Sequence, residues 1–170
     1  MELPKRKPNR LKNYDYSQNG VYFITICIKD RQELLGKIIV GDDAHIVPHI
    51  ELSQYGMVVE KYMNGIIGIN KYVIMPNHIH MIIVIDERKN GTMWADSGTM
   101  WASSPTGQSI SQLIKSFKTL VTKEIGFSLW QRSFHDHIIR NEQEYLKIWK
   151  YIDSNPQKWE EDGFYHARNI

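Results

Sequence analysis

One cysteine, Cys27, is all that this chain of 170 residues carries. No internal disulfide can form, which fits a reducing compartment. Long apolar runs are also missing. Nothing approaches the length of a membrane helix, and the basic N-terminus is followed by no apolar segment of the kind a secretion signal needs. These absences place the protein in the cytoplasm, without a membrane partner. Charge of one sign is scarce too: the net charge is +2, too small to identify a polyanionic partner by itself. Its distribution is uneven, because Lys5, Arg6, Lys7 and Arg10 crowd the N-terminus with only Glu2 against them. Such a basic arm points to a polyanion, or else is a solvated terminus.

The length predicts one domain over residues 1–170 with a proper core. Residues 1–19 read as the basic arm, closing in the turn-like Ser17-Gln18-Asn19-Gly20. Val21–Lys29 is rich in β-branched and aromatic residues and predicts a strand, followed by a second at Leu34–Val40. His45–Ile50 reads at most as an edge extension, because of Pro48. Ser53 is placed to cap a helix whose apolar residues Tyr55, Val58, Val59, Tyr62, Met63 and Ile66 recur at helical spacing. Strands are expected at 69–75 and 78–86, with the ladder broken or bulged at Pro76-Asn77. Residues 87–108 read as a variable, partly disordered surface loop, in which GTMWADS is followed by the near-copy GTMWASS. Ser109 opens a second helix with its stripe at Ile110, Leu113, Ile114, Phe117, Leu120 and Val121. A strand over 129–139 and a helix from Asn141 to about Asn155 follow, the latter stopped by Pro156. The tail from Gln157 gives no clear signal. This order, β-β-α-β-β-α-β-α, predicts an α+β protein: a ferredoxin-like antiparallel or mixed sheet with helices packed on it.

The chemistry gathers around YVIMPNHIHMIIVID, residues 72–86. A strand sends residues i and i+2 to one face, so His78 and His80 point the same way and can grip one metal ion. Polar rings in so apolar a strand need a partner, since an unpaired buried polar group is costly. The last helix offers one. Tyr151 and Asn155 lie one turn apart on the flank of its apolar stripe. Asn155 brings a carboxamide oxygen for the metal, and Tyr151 a hydroxyl close to any phosphate that metal polarises. A rival pair, His135 and His137, has the same spacing beside Arg132, and spacing alone does not choose between the two. Lys115 and Lys118 lie off the second helix's apolar stripe and are candidates for phosphate contact.

Three segments carry a resemblance: YDYSQNGVYFITICIKDR (14–31), YVIMPNHIHMII (72–83) and LWQRSFHDHIIRNEQEYLKIWKYIDSNPQKW (129–159). Together, PNHIH followed by YIDSNP resembles the single-tyrosine HUH transposases, and among them the REP-associated tyrosine transposases. The resemblance implies that His78, His80 and Asn155 bind a divalent metal, Mg²⁺ or Mn²⁺, and that Tyr151 is the nucleophile, with Tyr145 as a competing tyrosine. It implies a ferredoxin-like sheet. It also implies a transposase or strand transferase that nicks and rejoins single-stranded DNA beside hairpins or palindromic repeats through a covalent 5′-phosphotyrosine. Backbone contacts would come from Lys5, Arg6, Lys7, Arg10, Lys115, Lys118, Arg132 and His137. A domesticated single-stranded DNA binder without cleavage is the alternative, and both a monomer and a homodimer are compatible with the family.

Overall fold

The computed structural model describes residues 19–40, 47–85 and 109–165. Lys5, Arg6, Lys7 and Arg10 of the basic arm, and the 87–108 loop, lie outside them. A four-stranded sheet is built from β1 (Gly20–Cys27), β4 (Ile69–Met75), β5 (His78–Ile85) and β6 (His135–Ile139), in the order β4-β5-β1-β6. Every neighbouring pair is antiparallel. Helix α1 (Gln54–Asn64) connects β1 to β4, α2 (Ile110–Ile125) connects β5 to β6, and α3 (Glu142–Ser154) follows β6. Without the insertion between β1 and α1, and without α3, this is the split β-α-β pattern of a ferredoxin-like sheet. The expected α+β architecture is present, and the sheet is antiparallel rather than mixed.

The pleat divides the sheet residues between two faces. Tyr22, Ile24 and Ile26 of β1, with Ile79, Met81 and Ile83 of β5, face the main core shared with Val59 and Met63 of α1 and Leu113, Phe117 and Val121 of α2. The opposite face carries Phe23, His78, His80 and Ile82, and α3 packs there through Ile152. With both faces covered, β5 reads as a continuous apolar run rather than an alternation. Local signals agree with this packing. Ser53 Oγ accepts from the N–H groups of Tyr55 and Gly56 and caps α1. Ser109 and Gln112 form a capping box on α2, which ends at Gly126 in the left-handed region (φ 90°). Gly56 is required by proximity, since a Cβ there would lie 2.0 Å from the Leu35 carbonyl oxygen.

Four expectations change. β2 (Gly36–Ile39) leaves the main sheet and pairs with β3 (His49–Leu52), the edge extension foreseen at Pro48, as a separate hairpin. The predicted strand over 129–139 shrinks to His135–Ile139. Residues before it are held by a Trp130–Ile28 bridge and by Ser133 at φ 71°, which no strand accommodates. Pro76-Asn77 does not break the ladder. It is the two-residue turn of the β4-β5 hairpin, with Met75 opposite His78 and Val73 opposite His80, so the histidines sit in regular pairing. The one irregularity in that pair lies between Ile69 and Lys71, at Asn70. The tail is also structured, as a 3-10 segment at Pro156–Glu161 that carries Trp159 into a buried position.

Candidate active site

β5 is an interior strand, and the hairpin turn places His78 and His80 at its start, on the face covered by α3. Both rings are buried, at 0% and 1% exposure. The turn itself orients the first ring. Asn77 Nδ2 donates to the Phe164 carbonyl (2.8 Å), which turns Asn77 Oδ1 toward His78 Nδ1 at 2.8 Å. A carboxamide oxygen only accepts, so His78 Nδ1 holds the proton and its Nε2 keeps a free lone pair. His80 is oriented from β1, where Thr25 Oγ1 lies 2.8 Å from its Nδ1 and Phe23 stacks on the ring at 5.2 Å between centroids. Trp159 and Phe164 flank the His78 ring.

The two Nε2 atoms end 3.0 Å apart. Two lone pairs at that distance repel unless a proton or a cation lies between them. Protonation is disfavoured here. Burial first, and then the charge of Arg31, push His78 down to about 3. Burial, and then His78, hold His80 well below the usual histidine range, with Asp162 opposing. Neutral imidazoles that converge through Nε2, each with Nδ1 engaged elsewhere, are the donor arrangement of a metal site.

α3 completes the group within the same chain. Its cap Asn141 accepts from the Glu144 N–H, and Lys71, from β4, pairs with Asp153 at 2.5 Å. Ile148 and Ile152 pack on the sheet beside Ile82, which turns Tyr151 toward His80 and Asn155 toward Asp162. Tyr151 Oη lies 3.1 Å from His80 Nε2 and donates toward Asp162 Oδ2 at 3.2 Å. Tyr151 as a residue keeps 41% exposure. Burial, then the charge and hydrogen bond of Asp162, push its phenol up to about 12. Asn155 is 2% exposed. Its Nδ2 donates to Asp162 Oδ2 at 2.9 Å, while its Oδ1 is buried with no hydrogen-bond partner among the described residues. An orphaned carboxamide oxygen is costly, and a hard cation satisfies it, so the donors fit a small divalent metal. Tyr145, the competing tyrosine, is committed elsewhere: its hydroxyl bonds Asn70 at the β4 irregularity and its ring packs on Trp149.

The other predicted contacts scatter. His137 is exposed on β6 and pairs with Glu144 at 2.7 Å. Lys115 is exposed on α2. The Lys118 ammonium donates to the carbonyls of Gln131 and Ser133, and burial pulls it down to about 8. Arg132 is exposed and lines a groove of about 510 Å³ with Lys29, Asp30, Arg31, Trp130 and Gln131. One of its lining residues, Arg31, accepts through its carbonyl from Asn77 Nδ2, the side chain that also meets His78. Sequence reasoning missed Asp162, Asn77, Thr25 and Arg31. Asp162-Gly163 carried only a turn signal, and the other three act through contacts that no spacing reveals.

No protein-family model matches the chain. An uncharacterized protein of Haemophilus influenzae is 37% identical over 175 residues, which cover 94% of this chain and 93% of that protein. A second protein of the same organism, named "Putative REP-associated tyrosine transposase", is 26% identical over 152 residues, covering 87% and 77%. Among solved structures, a REP-associated tyrosine transposase bound to a REP hairpin superposes with a TM-score of 0.53 at 21% identity, over 97% of this chain and 76% of that one. The chain belongs to one family with the 37% identical Haemophilus influenzae protein, and it is similar to the REP-associated tyrosine transposases.

Proposed function

We propose that this protein is a metal-dependent transposase or strand transferase that cuts and rejoins single-stranded DNA next to a hairpin, with Tyr151 as the nucleophile. The observation that carries the reading is the Tyr151 hydroxyl 3.1 Å from His80 Nε2, with Asn155 and Tyr151 joined through the same Asp162 oxygen. His78, His80 and Asn155 would hold Mg²⁺ or Mn²⁺, and such an ion, when bound, polarises the phosphate and lowers the barrier to attack. The protein's own residues do the rest. α3 is a rigid support that presents Tyr151 to one side of the scissile phosphate. Attack by Oη forms a 5′-phosphotyrosine and releases a 3′-hydroxyl. Splitting the exchange into two displacements keeps the energy of the phosphodiester bond in the covalent intermediate, so rejoining needs no nucleotide cofactor.

Phenol chemistry explains why the site needs its neighbours. A phenol raised to about 12 is almost wholly protonated at neutral pH, so attack must be coupled to removal of its proton and to charge placed nearby. Lys29, Arg31 and Arg132, which line one groove, would supply the positive charge that a phosphate backbone needs. The hairpin bound by the solved relative of similar fold supports a structured single strand as substrate.

The test is incubation of wild-type protein and Tyr151→Phe with end-labelled hairpin DNA and Mn²⁺, followed by denaturing electrophoresis. Wild type is expected to give a covalent adduct and Tyr151→Phe none. Failure of wild type to form an adduct on any single-stranded substrate overturns the enzyme reading. Binding with equal affinity but no adduct would leave the single-stranded DNA binder. Cleavage that survives Tyr151→Phe but not His78→Ala would point to a metallohydrolase instead.

A further inference from the structure

Asp162 belongs to none of the motifs that carry the resemblance, yet the tail delivers it to the centre of the site. A carboxylate oxygen of Asp162 and one ring nitrogen each of His78 and His80 lie within 4.8 Å of one another, the one such cluster among the described residues. Its position is determined from both sides. Oδ1 accepts the Phe164 N–H at 2.7 Å. Oδ2 accepts from Asn155 Nδ2 at 2.9 Å and from Tyr151 Oη at 3.2 Å. The residues that follow are tied to the hairpin turn and to the end of β1: Arg31 Nη1 donates to the Gly163 carbonyl at 2.9 Å, and Asn77 Nδ2 to the Phe164 carbonyl. A surface carboxylate with no role does not need so many restraints.

The charge of the site gives this placement a purpose. Two imidazoles and a carboxamide are neutral donors, and Arg31 already adds positive charge beside His78. A divalent ion held by those donors alone would be uncompensated in a partly buried site, where charges are poorly screened. We infer that Asp162 is the anionic ligand of the divalent cation, so that the protein holds the ion through two nitrogens, one amide oxygen and one carboxylate oxygen. One carboxylate and one phosphodiester together carry two negative charges, so the ion is half neutralised by Asp162 before DNA arrives and fully neutralised once the scissile phosphate joins. The oxygen donors also favour a hard ion such as Mg²⁺ or Mn²⁺ over the all-nitrogen or thiolate preferences of softer metals. Asn155 then has two duties: its Oδ1 joins the donor set and its Nδ2 steadies Asp162. This inference rests on the metal-dependent reading above and adds a ligand to it.

The experiment measures Mn²⁺ binding to the full chain without DNA, by titration calorimetry and by the loss of the free-ion electron paramagnetic signal. Asp162→Asn keeps the shape and removes the charge. It is expected to weaken Mn²⁺ binding by roughly tenfold or more, and to shrink the Mn²⁺-induced rise in melting temperature. The metal-free melting temperature should stay near that of wild type. His135→Ala is expected to bind as wild type does. Equal Mn²⁺ affinity in wild type and Asp162→Asn overturns the inference. Should Asp162→Asn fail to fold, Asp162→Glu, which restores the charge, must bind more tightly than Asp162→Ala; equal affinity in those two overturns it as well. The two readings fail separately. A DNA adduct with unchanged Mn²⁺ affinity in Asp162→Asn leaves the transposase reading standing without this ligand. Asp162-dependent Mn²⁺ binding without any adduct leaves the metal ligand standing without the transposase.

Discussion

The chain has two His-x-His pairs, and they share a sheet face. His80 is opposite Thr25, and Thr25 is opposite His135 on its other side. The same strand periodicity therefore aims both pairs the same way, two strands apart. Their environments diverge because β5 is interior and β6 is an edge. On β5, α3, Trp159 and Phe164 cover the rings, water is excluded, and the imidazoles stay neutral with converging lone pairs. On β6 both histidines are exposed, and His137 takes Glu144 as its partner. Spacing fixes direction, while position in the sheet and the cover above it decide whether two imidazoles become a donor set.

Substitutions at the two pairs should separate them most clearly. His78→Ala or His80→Ala is expected to abolish Mn²⁺-dependent adduct formation and lower Mn²⁺ affinity by more than about 100-fold. His135→Ala and His137→Ala should leave both within about twofold, a bound drawn from the exposure of those rings. A loss of Mn²⁺ affinity in His137→Ala, measured by calorimetry, would break the comparison. Next comes the support of each ring. Asn77→Ala removes the acceptor that fixes the His78 tautomer and should cost about 10–100-fold in Mn²⁺ affinity. Glu144→Ala, which frees His137, should cost nothing measurable in the same titration.

Stability gives a third contrast. Ile79, between the two site histidines but on the opposite face, is fully buried in the main core. Ile79→Ala should cost about 2–5 kcal/mol in denaturant unfolding, whereas Ile138→Ala, partly buried on β6, should cost less. Acid gives the smallest and most graded effect. Folded His78 and His80 resist protonation, so between their depressed native values and the ordinary value of 6.5 the unfolded chain binds more protons. Their contribution to stability is complete above about 6.5 and is lost as pH falls toward about 3. Metal-free melting temperature should drop on acidification through that window, and His78→Gln should flatten the slope.

The sheet and its helices were legible because each element advertises itself. β1 and β5 are β-branched runs, Ser53 and Ser109 are caps before apolar periodicities, and Pro156 follows a helix end. Strand and helix periods put His78 and His80 on one face and Tyr151 and Asn155 one turn apart, but spacing alone did not rank this pair above His135 and His137; the resemblance did. The β2-β3 hairpin was not, since Leu34–Val40 has the pattern of any strand and pairing partners are a tertiary choice. Asp162 was hidden for a different reason. It sits in a tail without periodicity and reaches the site only because Trp159 and Phe164 pack against His78. The surroundings of Lys118 were hidden too: it looks like a solvent-facing lysine on α2, but the irregular segment before β6 folds back onto its ammonium.

A two-residue hairpin turn is ordinarily where a protein absorbs inserted or altered sequence. Pro76-Asn77 has no such freedom. The Pro76 carbonyl accepts the Leu35 N–H and the Asn77 carbonyl the Ile28 N–H, while the Asn77 side chain joins His78 to the tail. Loop swaps, affinity tags and peptide insertions directed at this hairpin tip should therefore fail. By the same logic, a library that randomises Asn77 should return far fewer working variants than one that randomises the exposed residue Gln143 of α3.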